Sequence, residues 1–218
     1  MSEGYVIYPL GSVGTFDRFL AAYPITDHSV PIGAWSPSPI AGFDDLMTAV
    51  GGATFDRGLY RLHTPESSRL SAAAICQAFP ELAGGIAPFG FDWLGGQFAV
   101  DLRRGQPGHV LLVEPGTAEI LDIPSSFADL HNQELVEEPD AALTKSFFAE
   151  WAGANPALLP LAHDVCVGYE VPLFLGGRDE IENLAQVDIW VYWSLTADLF
   201  SNTRALAPGT QISNVNIE

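Results

Sequence analysis

The chain has 218 residues, 48% hydrophobic and 11% aromatic, with 9 basic and 27 acidic side chains giving a formal net charge of −18. Such a composition suits a globular fold, not a disordered chain, and its apolar runs fall far short of the ~20 residues that span a bilayer. A field of this sign repels nucleic acid and anionic membranes and speeds encounter with a basic protein, although acidity also serves solubility alone. The charge is uneven. Residues 1–104 hold 6 basic and 10 acidic side chains, whereas residues 105–218 hold 3 basic and 17 acidic.

The N-terminal MSEGYVIYPLGS has no basic n-region and too short an apolar run for a secretory signal; residues 5–8 predict a short strand stopped by Pro9 and Gly11. Thr15 is placed to cap a helix over 16–23, with Phe16, Phe19, Leu20 and Tyr23 on one face. Four prolines between Pro24 and Ile40 predict a long loop, the only plausible joint in the chain. A second helix is predicted over 43–50, ended by Gly51-Gly52, then a strand over 59–62. Thr64-Pro65-Glu66 starts a helix that carries Leu70, Ala73, Ala74 and Gln77. Residues 97–102 read as a strand with Phe98 and Val100 facing one way. The clearest hairpin follows, with strands over 109–114 and 118–123 about a Pro115-Gly116-Thr117 turn.

Ser125 or Ser126 can cap a helix over 127–130, and Asp140 one over 141–151 with a stripe of Leu143, Phe147, Phe148 and Trp151. Residues 165–170 alternate as a strand, Pro172 marks an edge or turn, and Gly176-Gly177 is a break. A second strand is predicted over 188–193, buried on both faces, then a helix over 196–206 and a polar tail after Pro208. Strands and helices mix without βαβ spacing, so the expected class is α+β with a mainly antiparallel sheet flanked by helices.

Signatures of catalysis are missing. The Gly-Gly pairs at 51, 84, 95 and 176 form neither a phosphate loop nor a dinucleotide fingerprint, which leaves turns and close packing. The five histidines (His28, His63, His109, His131 and His163) have no metal-ligand spacing, so no metal or cofactor is expected. Cys76 and Cys166 read as small buried hydrophobes of a reducing compartment. Asp92, Asp101 and Asp122 lie beside aromatic or sheet positions; one of them could be a buried carboxylate with a raised pKa, as a hydrolase would use, though turn carboxylates bonded to backbone amides are commoner. Two acidic groups stand out: Glu134, Glu137, Glu138 and Asp140 between predicted helices, and Asp179, Glu180 and Glu182 after a Gly-Gly turn. Solvated loop charge and a docking surface for a basic partner are the two readings.

The segments GLYRLHTPESS (58–68), FPELAGGIAPFGFDWLGGQFAVD (79–101), LLVEPGTAEILDIPSSFADLHNQELVEE (111–138), FFAEWAG (147–153) and CVGYEVPLFLGGRDEIENLAQVDIWVYW (166–193) together resemble the bacterial Tdi-type immunity family. The resemblance implies a GAD-like N-terminal region over 1–105, divergent at its start, and a Tdi-type C-terminal domain over 106–218 related to the SUKH superfamily, or one continuous unit. It implies an SUKH-like fold and no catalytic residues. It also implies an antitoxin that binds a type VI secretion effector, typically a DNase, in the cytoplasm. Trp93, Gly116, Gly168, Tyr169, Pro172 and Gly177 are its recurrent motif residues, matched here to packing and turn demands. A nuclease presents basic residues where it holds phosphate. Glu137, Glu138, Asp140, Asp179, Glu180 and Glu182 are therefore the candidate toxin contacts, acting by steric and electrostatic occlusion of the active site. The alternative is a small-molecule or nucleotide-binding regulator on a SUKH-like fold, with aromatic strands lining a pocket.

Overall fold

The computed structural model describes residues 14–103 and 109–206, so the strand predicted over 5–8 and the tail after Pro208 lie outside the described residues. Helix α1 (Asp17–Ala22) and strand β1 (Ile25–Asp27) open the fold, followed by α2 (Phe43–Val50), β2 (Thr54–Phe55), β3 (Tyr60–Leu62) and α3 (Pro65–Ala78). Four longer strands come next: β4 (Ile86–Asp92), β5 (Gln97–Asp101), β6 (Val110–Glu114) and β7 (Glu119–Ile123). β1 to β7 pair in sequence order as one seven-stranded antiparallel sheet. The architecture is α+β and mainly antiparallel, as expected.

Helices cover both faces of the sheet. One face carries Phe98, Val100, Val110 and Leu112 into a core shared with Phe16, Phe19, Phe43 and Met47 of the first helices. The same core takes in α4 (Phe127–Asp129), a π-helical turn over Leu130–Glu134, α5 (Leu135–Glu137), α6 (Pro139–Leu143) and α7 (Lys145–Ala154). The opposite face puts Phe91, Leu111 and Val113 against Ile75 of α3 and against a last helix, α8 (Ile189–Thr203). A separate ribbon, β8 (Val165–Tyr169) paired antiparallel with β9 (Leu184–Asp188), stands between the two cores. Strands covered twice need apolar residues on both faces, which is why β5 and β6 read as near-continuous hydrophobic runs.

At the centre of the larger core, His131 is fully buried among Phe16, Phe19, Phe89 and Phe127. Its Nδ1–H donates to the Phe127 carbonyl at 2.7 Å, and Nε2 accepts from the Tyr60 hydroxyl at 3.1 Å. Burial brings its pKa down to about 4, so the ring is neutral and both nitrogens are satisfied.

Three local readings are corrected. The strand predicted over 188–193 is the first turn and a half of α8, because the Asp188 carboxylate accepts from the Trp190 and Val191 amides and starts a helix. Ile189, Tyr192, Trp193, Thr196 and Ala197 then share its buried face, while Val191 is exposed. Helix α3 starts at Thr64 and Pro65 as expected, and it buries Ser67, Ser71, Ile75 and Ala78. Thr15 does not cap α1, which follows a short 3-10 turn, Gly14–Phe16, with Phe16 at the cap position. The helix predicted over 141–151 is broken by Thr144 at φ 47°, and Asp140 caps the second half by accepting from the Ser146 amide at 2.7 Å.

The ribbon is fixed to the sheet by one side chain. Arg61 of β3 is fully buried. Its Nη1 donates to the carbonyls of Val165 at 2.5 Å and Ala162 at 3.2 Å, and Nη2 donates to the Asp92 carbonyl at 2.7 Å. The guanidinium lies 4.5 Å from the centre of the Phe91 ring, and burial lowers its pKa to about 10, which leaves it charged. A further bond, from the Val167 amide to the Trp93 carbonyl at 2.8 Å, runs beside it. Arg61→Met removes three charge-assisted bonds, although the Ala162 and Asp92 carbonyls keep the Val165 and Gly95 amides, and is expected to cost about 3 kcal/mol. Arg61→Lys should recover only part, because an ammonium lacks the planar fork. Urea unfolding of the three proteins measures both effects.

Candidate interaction surface

Residues 170–183, between β8 and β9, carry three of the candidate acidic side chains, and the platform beneath them is built from rings pressed onto glycines. A Cβ at Gly116 would sit 2.7 Å from the Tyr169 ring, and one at Gly168 would sit 2.6 Å from the Tyr192 ring. The Gly116 carbonyl accepts from the Leu173 amide at 2.8 Å, and the Tyr192 hydroxyl accepts from the Tyr169 amide at 3.2 Å. The Tyr169 hydroxyl donates to Asp179 Oδ1 at 2.6 Å, and burial followed by that carboxylate holds the phenol well above its usual range.

Asn183 ties the loop shut. Its side chain accepts from the Val171 amide at 2.9 Å and donates to the carbonyls of Val171 and Arg178 at 2.9 and 2.8 Å. Gly177 packs so closely that a Cβ there would lie 1.8 Å from the Val171 carbonyl oxygen. Gly116, Gly168, Tyr169, Pro172 and Gly177 thus meet in one assembly, whereas Trp93 is buried elsewhere with Nε1 donating to the Leu143 carbonyl at 3.1 Å. Asp179, Glu180 and Glu182 are exposed on this frame, with Arg178 3.6 Å from Glu180.

The other acidic group stands on the helical layer. Glu137 is exposed and pairs with Arg18 of α1 at 2.8 Å, a surface contact worth little by itself. Glu138 is exposed between α5 and α6. Asp140 is exposed too, but its bond from the Ser146 amide lowers its pKa and gives it a capping role. Sequence reasoning found these carboxylates by their charge. It missed Tyr192 and Asn183, whose roles depend on partners distant in the chain or on side-chain geometry.

The three aspartates considered for catalysis separate. Asp101 is buried and holds Arg103 through two bonds of 2.9 Å, and Asp122 pairs with His109 at 3.0 Å on an exposed edge. Asp92 is buried, with Oδ1 accepting from the Leu94 and Gly96 amides at 2.9 and 2.8 Å, which is turn chemistry. Among the described residues no group of three or more His, Cys, Asp or Glu could hold a metal, and no helix is long and apolar enough to cross a membrane. A cavity lined by Phe79, Glu114, Trp193 and Phe200 measures about 10 Å³, the space of a single water.

Asp92 nevertheless has a measurable consequence. Burial, then the nearby Glu114 charge, pushes its pKa from 3.8 to about 7, against the lowering effect of the Gly96 and Leu94 bonds and of Arg61. Between those values the folded chain keeps a proton that the unfolded chain has released. The stabilisation is full below the lower value and is lost as pH rises through the upper one. His63 and His131, which burial lowers to about 3 and about 4, act with opposite sign on the acid side of pH ~6.5. Asp92→Asn keeps an oxygen for both amides and never ionises. It should exceed the wild type in stability at pH 8 by up to about 4 kcal/mol, with most of that gain gone at pH ~4.5. Urea unfolding at the two pH values checks this, and an equal difference at both would count against it.

Residues 127–200 match the family described as T6SS immunity protein Tdi1, C-terminal. Comparison with curated proteins gave no match. Among solved structures, the crystal structure of Atu4351 from Agrobacterium tumefaciens is similar with a TM-score of 0.56 and 16% identity, over 84% of this chain and 88% of that one. That likeness is one of fold, and the α+β, mainly antiparallel class expected from the sequence stands with it. Over residues 127–200 the chain is thus similar to the C-terminal domain of the T6SS immunity protein Tdi1.

Proposed function

We propose that this chain is a non-enzymatic immunity protein that binds the toxin domain of a cognate type VI secretion effector in the cytoplasm. The observation that carries this reading is the family match at 127–200, a segment that contains both groups of candidate contacts. The effector is a DNase on this reading, and the immunity protein occupies its basic cleft so that DNA is excluded. Glu137, Glu138, Asp140, Asp179, Glu180 and Glu182 are the acidic contacts. The chain works as one unit: the antiparallel pairing of β5 with β6 crosses the expected boundary at 105/106, and one core draws on residues from Phe16 to Val167.

Capture of the effector encoded by the adjacent gene, followed by inhibition of its DNA cleavage, tests the reading. Replacing the six carboxylates with their amides should slow association by about 10-fold at low salt and flatten its salt dependence. Association kinetics across a salt series read this out. Unchanged rates would remove the electrostatic element, and failure to capture the effector would remove the immunity reading itself.

A further inference from the structure

The β8–β9 ribbon has one closed side and one open side, and bonds at its margins show which backbone groups face each way. The Glu170 amide donates to the Asn183 carbonyl at 2.8 Å, and the Ile189 amide donates to the Asp164 carbonyl at 2.9 Å, so bonded pairs fall on even positions of β8. The Val167 amide instead points away from β9, to the Trp93 carbonyl. In an antiparallel pair, alternate residues turn their backbone groups toward and away from the partner strand. Cys166 and Gly168 therefore pair with Val187 and Ala185, while Gln186 turns its N–H and C=O groups outward and Leu184 its C=O, the Leu184 amide being bonded to the Ile181 carbonyl. The outer side of β8 is closed by Trp93 and by Arg61 on the Val165 carbonyl. β9 is the last strand of its sheet, and among the described residues no strand covers its outer side.

This edge lacks the devices that keep edges from pairing. β9 is five residues long, in unbroken register with β8, and contains no proline, lysine or arginine. β1, at one end of the large sheet, is three residues long with an irregular register, and β7, at its other end, lies outside the matched segment. Gln186 is exposed and Leu184 half-buried. The surrounding charge is mainly negative: from Asp179 to Thr203 there is no lysine or arginine, Asp179, Glu180 and Glu182 lead directly into the strand, and Arg178, 3.6 Å from Glu180, offsets one of these charges.

We propose that β9 is a docking edge at which an extended, basic segment of the effector's toxin domain adds as a third strand. Its backbone bonds to the outward N–H and C=O groups of Gln186 and the C=O of Leu184, and its lysine or arginine side chains meet Asp179, Glu180 and Glu182. This inference rests on the immunity reading and supplies the way the partner is held: backbone pairing gives affinity, and the acidic loop selects for charge.

Hydrogen exchange on the wild-type chain, with and without the toxin domain of the effector from the adjacent gene, tests it directly. The amide of Gln186 should exchange fast in the free chain and slow by at least about 10-fold in the complex, whereas Ala185, already bonded to β8, and Leu184, already bonded to the Ile181 carbonyl, should change far less. Gln186→Pro removes the outward N–H without breaking a β8–β9 bond, so it should weaken binding by at least about 10-fold with the melting temperature preserved. Gln186→Thr keeps the backbone donor and should bind as the wild type does. Binding without new protection at Gln186 overturns strand addition and leaves the immunity reading intact, as does a folded Gln186→Pro that binds normally. If Gln186→Pro does not fold, the wild-type exchange pattern decides alone. A toxin domain that does not bind the wild-type chain overturns both.

Discussion

Arg61 carries a charge into a place that water does not reach, and three main-chain carbonyls neutralise it there instead of a carboxylate. Those carbonyls come from the end of β4, the segment before β8 and the first residue of β8 itself. A buried cation left without acceptors would be costly, so the ribbon has to seat on the sheet for the sheet to tolerate its own arginine. The stacking of Arg61 on Phe91 works in the same sense, since Phe91 lies in the core beneath α8. Attachment of β8 and β9 is thus part of satisfying the main fold. It is not an appendix to it.

Once the ribbon is seated, the rest of the platform follows from close packing. Gly168 leaves room for the Tyr192 ring, and the Tyr192 hydroxyl is then placed to accept from the Tyr169 amide. Gly116, on the turn between β6 and β7, leaves room for the Tyr169 ring and offers its carbonyl to the loop after Pro172. Sheet, ribbon and α8 therefore meet at two tyrosines and two glycines. Side chains larger than glycine would have to displace whole rings, which cores resist at a cost of about 1–3 kcal/mol.

What could be read from the chain was whatever its own neighbours decide. Val110–Glu114 and Glu119–Ile123 declared a hairpin because alternation and the Pro-Gly turn are local, and Thr64 with Pro65 announced α3 for the same reason. Ile189 to Trp193 misled because five apolar or aromatic residues in a row satisfy both periods. Only the Asp188 cap and the packing of α8 on α3 separate them. Asp140 misled differently: its charge and cap chemistry were legible, but the left-handed break at Thr144 moved the cap to the next helix. At the candidate surface the acidic residues were visible by composition. The platform was not, because Gly116, Tyr169 and Tyr192 meet only across the folded chain.

The division between frame and tip has a functional consequence. Asn183, Gly177 and Tyr169 fix the loop backbone, while Glu180 and Glu182 extend from it into water. Mutual repulsion among these carboxylates would spread a slack loop, and a partner would then have to gather it at an entropic cost of about 0.5–1.5 kcal/mol per ordered side chain. Holding the backbone in advance removes part of that cost and keeps the carboxylates close together, where their combined field on a cation is strongest. Exposed tips also contribute little to stability, typically within about 0.5 kcal/mol for a substitution. Charge and shape at this surface can therefore change while the tyrosines, glycines and Arg61 beneath it continue to specify the same fold.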